Sequence, residues 1–204
     1  MPLTTFEEEI YLRALTGRLV GKALADLGLN KVAVVAPRNI ICSSIAAATE
    51  ASFLDHSGGV TRHFMVEIGV NEADVARRVK EFGAEAVLLQ FGGETPIEEV
   101  KRSFVEFLRA AAEEQVPGAF IIHVRIFAAG GLREALRDEK VREFLSSKPL
   151  FVYTVGFDEG KVFVNKIRLE DGEVLLEKVK EYQVTLEHAD LLNRSIRERR
   201  VVLQ

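Results

Sequence analysis

The sequence predicts an α/β protein with a doubly wound, mainly parallel sheet, extended by an antiparallel hairpin and a C-terminal helix. Three observations predict it. Short apolar runs alternate with amphipathic helical stretches through the first two thirds of the chain, the rhythm of βαβ units. Residues 31–49 read as a buried strand, a short loop and a helix of small residues, Lys31-Val-Ala-Val-Val-Ala-Pro37 leading into Cys42-Ser-Ser-Ile-Ala-Ala-Ala48. After Pro149 the pattern turns to strand-like runs on both sides of Asp158-Glu-Gly160, a hairpin signal.

The elements follow in order. Thr5 and Glu8 stand at capping-box spacing, and Phe6, Ile10, Leu15, Leu19, Ala23 and Leu27 recur at helical intervals until Gly28 ends the first helix. Strand 32–36 comes next, then a helix from about Ser43 to Leu54 and a turn at Gly58-Gly59. Thr61 to Ile68 reads as a second strand, and Asn71 is placed to cap a helix carrying Val75, Val79 and Phe82, closed by Gly83. Ala86 to Gln90 is a third, buried strand, with its turn at Phe91-Gly-Gly-Glu94. Thr95-Pro-Ile-Glu98 combines a cap, a first-turn proline and an acid, starting a helix to about Gln115. Ala119 to Ile122 is a fourth strand, and Gly130-Gly131 open a helix to about Leu145. Phe151 to Phe157 and Lys161 to Leu169 form the hairpin. Asp171-Gly172 turns into a third strand or an early helix at 173–182, and Thr185 is placed to cap a last helix. Residues 1–148 thus read as an α/β domain, with 149–204 as a hairpin and helix appended to the same domain.

Composition narrows the class. At 204 residues, 48% apolar and 28% charged, the chain suits a globular core and excludes disorder. No apolar run reaches the ~18–20 residues of a membrane helix. The opening Met-Pro-Leu-Thr-Thr lacks the basic-then-apolar pattern of a signal peptide. The single cysteine, Cys42, rules out an internal disulfide and fits a reducing compartment. Missing tryptophan with many Arg, Glu and Lys residues suits a thermophile. A net charge of −4 argues against broad nucleic-acid coating, though not against a local basic patch.

The chemistry is sparse. Arg38-Asn39-Ile40-Ile41 lies where α/β sites gather, yet offers no carboxylate, no glycine-rich cradle and no nucleophile–base pair. His56, His63, His123 and His188 are scattered, none at the spacing of a helical metal pair. Cys42 reads as a small buried hydrophobe, and Ser43 and Ser44 as helix caps, since Gly-x-Ser-x-Gly is absent. Gly92-Gly93 either offers amides to an anion or serves turn geometry, and Glu94 beside it would repel the anion.

Arg38-Asn-Ile40-Ile41 before Cys42 to Ala48, then Leu88-Leu-Gln90-Phe91-Gly92, then Ile121-Ile-His123-Val124-Arg125 follow one another in a telling order. Over residues 5–130 that order resembles the DHH phosphoesterase family, as in the RecJ exonuclease and its relative, the Cdc-type cofactor of the replicative helicase. Active members carry Asp-x-Asp-Gly in the first loop, an Asp at the second segment and Asp-His-His at the third. The resemblance implies a DHH-like sheet whose metal positions have degenerated to Arg38, Ile40, Gln90, His123 and Val124. Two divalent metals need several carboxylates to offset their ~+4 charge. No metal, no cofactor and no catalysis are therefore expected of this reading, which makes the chain a pseudoenzyme.

The same resemblance implies a role in DNA replication. The chain would be a non-catalytic archaeal RecJ-like subunit that binds the GINS complex and the MCM helicase. It would sit in the cytoplasm at the nucleoid, with weak affinity for single-stranded DNA and no membrane contact. Surfaces suited to that role are Gly92, Gly93 and Glu94, the 151–169 hairpin edge, and the arginines Arg194, Arg197, Arg199 and Arg200. A solvated helix face is the better explanation of those arginines. The alternative is a small-molecule or nucleotide-binding enzyme or sensor of Rossmann-like fold, with Arg38, Asn39, Ser43 and Ser44 holding an anion at the first strand–helix turn. A third reading, non-specific single-strand binding, predicts steep salt dependence.

Overall fold

The first helix starts as its spacing requires. Thr5 Oγ1 accepts from the Glu8 amide at 3.2 Å, and the Glu8 carboxylate accepts from the Thr5 amide at 2.9 Å, opening α1 (Phe6–Asp26). The structure, a computed structural model, describes residues 4–156, 159–170 and 173–202, with side chains through Ser195. The residues Phe157, Asp158, Asp171 and Gly172, expected at or beside turns, lie outside that set.

After α1 come β1 (Lys31–Pro37), α2 (Ile40–Ser57), β2 (Val60–Val66), α3 (Glu72–Phe82), β3 (Ala86–Leu89), α4 (Ile97–Glu114) and β4 (Ala119–Ile122). Three short helices follow, α5 (Val124–Ala128), α6 (Gly131–Ala135) and α7 (Glu139–Ser146). The chain then runs through β5 (Leu150–Gly156), β6 (Lys161–Glu170), β7 (Glu173–Gln183) and α8 (Leu186–Val202). The seven strands form one sheet in the order β2-β1-β3-β4-β5-β6-β7, parallel from β2 to β5 and antiparallel through β6 and β7. A mixed seven-stranded sheet thus stands in place of the DHH-like sheet expected from residues 5–130. Alternating strands and helices dictate parallel pairing but do not distinguish one doubly wound family from another.

Several local expectations are corrected. Asn39 rather than Ser43 caps α2, its Oδ1 accepting from the Cys42 amide at 2.7 Å. Asn71 turns back to accept from the Glu67 amide at 2.8 Å instead of capping α3 with its side chain. Pro96, not Thr95, is the N-cap of α4. The single helix expected from Gly130 to Leu145 is broken before residue 139, because Asp138 Oδ1 caps a new start at the Lys140 and Val141 amides. Residues 173–183 are a strand. The 151–169 hairpin is no edge, since β4 and β7 cover its two sides.

Strands buried on both faces place alternate residues in two cores. Ala33, Val35, Val87, Leu89, Phe120 and Ile122 pack with Val75 and Val79 of α3 and Phe104 and Phe107 of α4. Val32, Val34, Ala36, Leu88, Ile121 and Tyr153 pack with Val20 and Leu24 of α1 and Ile45 and Phe53 of α2. The small residues of α2 have a cause there. Gly17 and Gly21 of α1 lie so close that an added Cβ would stand 2.5 Å from the Ile45 carbonyl and 2.3 Å from the Thr49 carbonyl. Helix α8 closes the outside of α1 with Leu191 and Leu192 against Leu12.

Candidate functional site

Strand register assembles the site. Leu89 stands opposite Ile122, and Ile122 opposite Val152, so one step onward Gln90 and His123, just past the carboxyl ends of β3 and β4, and Tyr153, midway along β5, form a transverse row. The row lies on the α1–α2 face and is buried, with Gln90 0%, His123 7% and Tyr153 1% exposed. The chain leaves β1 toward β2 on one side and β3 on the other, so the row begins at the topological switch point of the parallel set.

Hydrogen bonds fix how each side chain is set. The Thr49 hydroxyl donates to the Ile45 carbonyl at 2.7 Å, so its oxygen can only accept from Gln90, whose Nε2 lies 3.0 Å away. That orientation leaves Gln90 Oε1 buried without a partner. His123 Nδ1 accepts from the Arg125 amide at 3.0 Å, which places the neutral ring's proton on Nε2. The Tyr153 hydroxyl is likewise buried without a partner, and burial pushes the phenol well above its ordinary pKa.

Around the row, Gly93 holds a left-handed φ of +84° and lies directly on the Asn39 amide, where a Cβ would fall 2.4 Å from Oδ1. The Arg125 guanidinium donates to the Gly93 carbonyl. Burial, and then the neighbouring Arg13, hold Arg125 below the ordinary guanidinium range. Arg13 reaches in from α1, 13% exposed, paired with Glu9 at 2.8 Å. Among the described residues no carboxylate lies within ion-pair distance of Arg125. Cys42 is buried and its thiol is pushed up to about 11 by burial, against the opposing pull of Asn39, the Gly92 amide and the two arginines. Among the described residues, two guanidiniums, one carboxylate and neutral buried groups give this region a positive balance. Such a region suits an anion and not a metal cation.

The residues expected from sequence divide between this site and the surface. Gln90 and His123 are adjacent in it, Gly92 and Gly93 line it, and Asn39 supports it. Arg38 and Ile40 are exposed, Ile40 at 57%, and Val124 is half-buried at the start of α5, so these positions do not converge on one former metal centre. The two-residue loop Arg38-Asn39 exists to cap α2, a task independent of any metal. Ser44 bonds the Ile41 carbonyl of its own helix, and Glu94 is exposed. Arg194 is engaged inside the chain, donating to both Glu8 oxygens at 2.9 and 2.7 Å and to Asp190 at 3.0 Å. The side chains of Arg197, Arg199 and Arg200 lie outside the described residues. Sequence reasoning missed Arg13, Arg125 and Tyr153. Arg13, directly after the core residue Leu12 on an otherwise apolar stripe, was the readable signal.

A depression of about 490 Å³ lies at the other end of the sheet, lined by Leu27, Leu29, Glu85, Lys148 and Phe151. It sits beside the turns that feed the strands, away from the converging polar groups, and open α/β sheets bind at their carboxyl ends. Among the described residues no helix is long and apolar enough to cross a membrane.

Solved structures share this fold. A solute-binding protein of an ABC transporter from Rhodopseudomonas palustris HaA2, in complex with p-hydroxybenzoic acid, superposes with a TM-score of 0.56 at 10% identity, over 86% of this chain and 66% of that one. Its counterpart from Rhodopseudomonas palustris BisB5, in complex with 3,4-dihydroxybenzoic acid, gives 0.55 at 12% identity, over 86% and 66%. A third, from R. palustris in complex with benzoate, gives 0.52 at 10% identity, over 84% and 64%. The chain spans less than two thirds of the length of the proteins it resembles. No curated protein sequence matches it.

The fold is one shared with solute-binding proteins of ABC transporters, which overturns the resemblance to DHH phosphoesterases and RecJ. The degenerate-phosphoesterase reasoning falls with it, and so do the replication role and the GINS, MCM and single-stranded DNA partners. None had support beyond the resemblance, and Arg194 and the hairpin edge are occupied within the chain. The family model that matches residues 9–191 carries the description "Uncharacterized protein", and the chain belongs to that family.

Proposed function

We propose that this chain is a small-molecule binding domain whose ligand is a small carboxylic acid, held at the carboxyl ends of β1, β3 and β4. The observation that carries the reading is the Arg125 guanidinium, part-buried beside Arg13 and bonded to a backbone carbonyl instead of a carboxylate. A desolvated cation costs several kcal/mol unless an anion is placed beside it. A carboxylate entering between Arg13 and Arg125 supplies that anion and meets the fork geometry of guanidinium. The position, at the switch point of the sheet, is where doubly wound folds bind ligands. The neighbours in fold were solved with benzoate and hydroxybenzoic acids, all of them small carboxylic acids, which supports the same ligand class.

Isothermal titration of the full chain at pH 7 with a panel of small carboxylates, benzoate included, tests the reading. At least one binds, and Arg125→Ala weakens it by roughly two to three orders of magnitude, the usual loss for one partner of a buried charge pair. A panel without a binder, or an alanine variant that binds as well as the parent, removes the proposal.

A further inference from the structure

Three buried polar atoms in and beside the anion site lack a partner: Asn39 Nδ2 against Gly93, and two in the row itself. Gln90 Oε1 and the Tyr153 hydroxyl are both buried and both without a hydrogen-bond partner. They belong to residues two strands apart in the same transverse row, with His123 between them. A single orphan is a tolerable flaw; two in one row, next to a cluster of arginines, mark a place built for a polar occupant. The Gln90 end is chemically unambiguous. Because Thr49 spends its proton on Ile45, the glutamine nitrogen is held toward Thr49 and the oxygen turned away from it. Gln90 Oε1 therefore accepts only, and its occupant must donate.

Two kinds of donor are common on small acids, the ammonium of an amino acid and a neutral hydroxyl. An ammonium would enter beside Arg13 and Arg125 with Glu9 the one carboxylate paired there, and like charges repel strongly where water is excluded. A hydroxyl meets no such field. It also matches Tyr153, whose own hydroxyl can donate to or accept from it.

We infer that the ligand is a hydroxycarboxylic acid, its carboxylate on Arg125 and Arg13 and its hydroxyl donating to Gln90 Oε1, with Tyr153 completing the hydroxyl's hydrogen bonds. The inference rests on the anion site proposed above and adds the second anchor point. It makes Gln90 and Tyr153 specificity determinants and leaves affinity for the carboxylate itself to the arginines.

The test is titration of the full chain with matched acids: lactate, propionate and alanine as one set, 4-hydroxybenzoate and benzoate as another. In the set that binds, the hydroxy acid is favoured over its deoxy parent by about tenfold or more, the size of one well-made hydrogen bond in a dry site. Alanine binds more weakly than lactate. In Gln90→Leu the preference for the hydroxy acid over its deoxy parent shrinks to below about threefold. Tyr153→Phe, the milder substitution, reduces the preference in the same direction and covers the case in which Gln90→Leu fails to fold. Equal affinity for hydroxy and deoxy acids, tight alanine binding, or a preference that survives both substitutions overturns the inference while leaving the anion site standing. If no acid binds and Arg125→Ala is indistinguishable from the parent, the anion site itself is wrong and the hydroxyl anchor with it.

Discussion

The rings of His123 and Tyr153 meet edge to face, their centroids 5.3 Å apart and their planes at 87°. The contact joins β4 to β5 on the face covered by α1 and α2, and it leaves the phenolic oxygen buried with no partner. Packing has fixed the ring, and the hydroxyl is carried along at a cost.

That cost has a measurable sign. Tyr153→Phe removes the unsatisfied hydroxyl and keeps the ring, so the ligand-free protein is expected to gain about 1 kcal/mol in urea unfolding. A stabilised variant with weakened hydroxy-acid preference is the pattern of a functional residue held against stability. A loss of stability would mean that the hydroxyl is satisfied in solution.

The junction of α1 and α2 is the least tolerant place in the fold. A methyl at Gly21 would lie 2.3 Å from the Thr49 carbonyl and 2.7 Å from Ser52 Cβ. Helix propensity alone favours alanine by about 1 kcal/mol, but overpacking a close backbone contact costs roughly 1–3 kcal/mol or more. Gly21→Ala is therefore expected to destabilise by about 2 kcal/mol, lowering the melting temperature by roughly 4–8 °C in a chain of this size. Because Thr49 holds Gln90, the same variant should also weaken hydroxy-acid preference.

His188 makes the docking of α8 sensitive to acid. The ring is 2% exposed and bonds Thr16 Oγ1 at 3.0 Å, where the Thr16 hydroxyl already donates to Leu12. Burial, and then Arg13 across the α1–α8 contact, lower its pKa from 6.5 to about 4. The folded state thus binds fewer protons than the unfolded one between these values. Stability is full above pH 6.5 and falls as the pH drops toward 4, by up to roughly 3 kcal/mol. Urea titrations at pH 7.5, 6 and 5 should show this slope, and His188→Gln should flatten it. An unchanged slope in the variant would assign the acid sensitivity to carboxylates instead.

Much of the local structure was legible. The capping box of Thr5 and Glu8 forms, Gly83 closes α3 in a left-handed conformation, and Thr185 Oγ1 accepts from the His188 amide at 3.2 Å at the start of α8. These are short-range matters of dihedral preference and unsatisfied amides, which neighbouring residues decide. The stretch 31–49 was recognised as a place shaped for a site, but its lack of carboxylates was misread as the loss of a metal. Asn39 is there to cap α2 and to seat Gly93, and both uses involve a partner that the stretch itself does not show.

By itself the sequence determined the order of most strands and helices, which faces they bury and that α2 is lean in side-chain volume, but not the start of α2, the cap of α4 or the break before residue 139. Only the tertiary structure decided that Arg13, Gln90, His123, Arg125 and Tyr153 lie together. Hydrophobic period says which side of a strand is buried, yet it carries no information about strand order or about which strand end lies beside which. Those follow from sheet register and from the close seating of α1 on α2, and they bring scattered polar residues together.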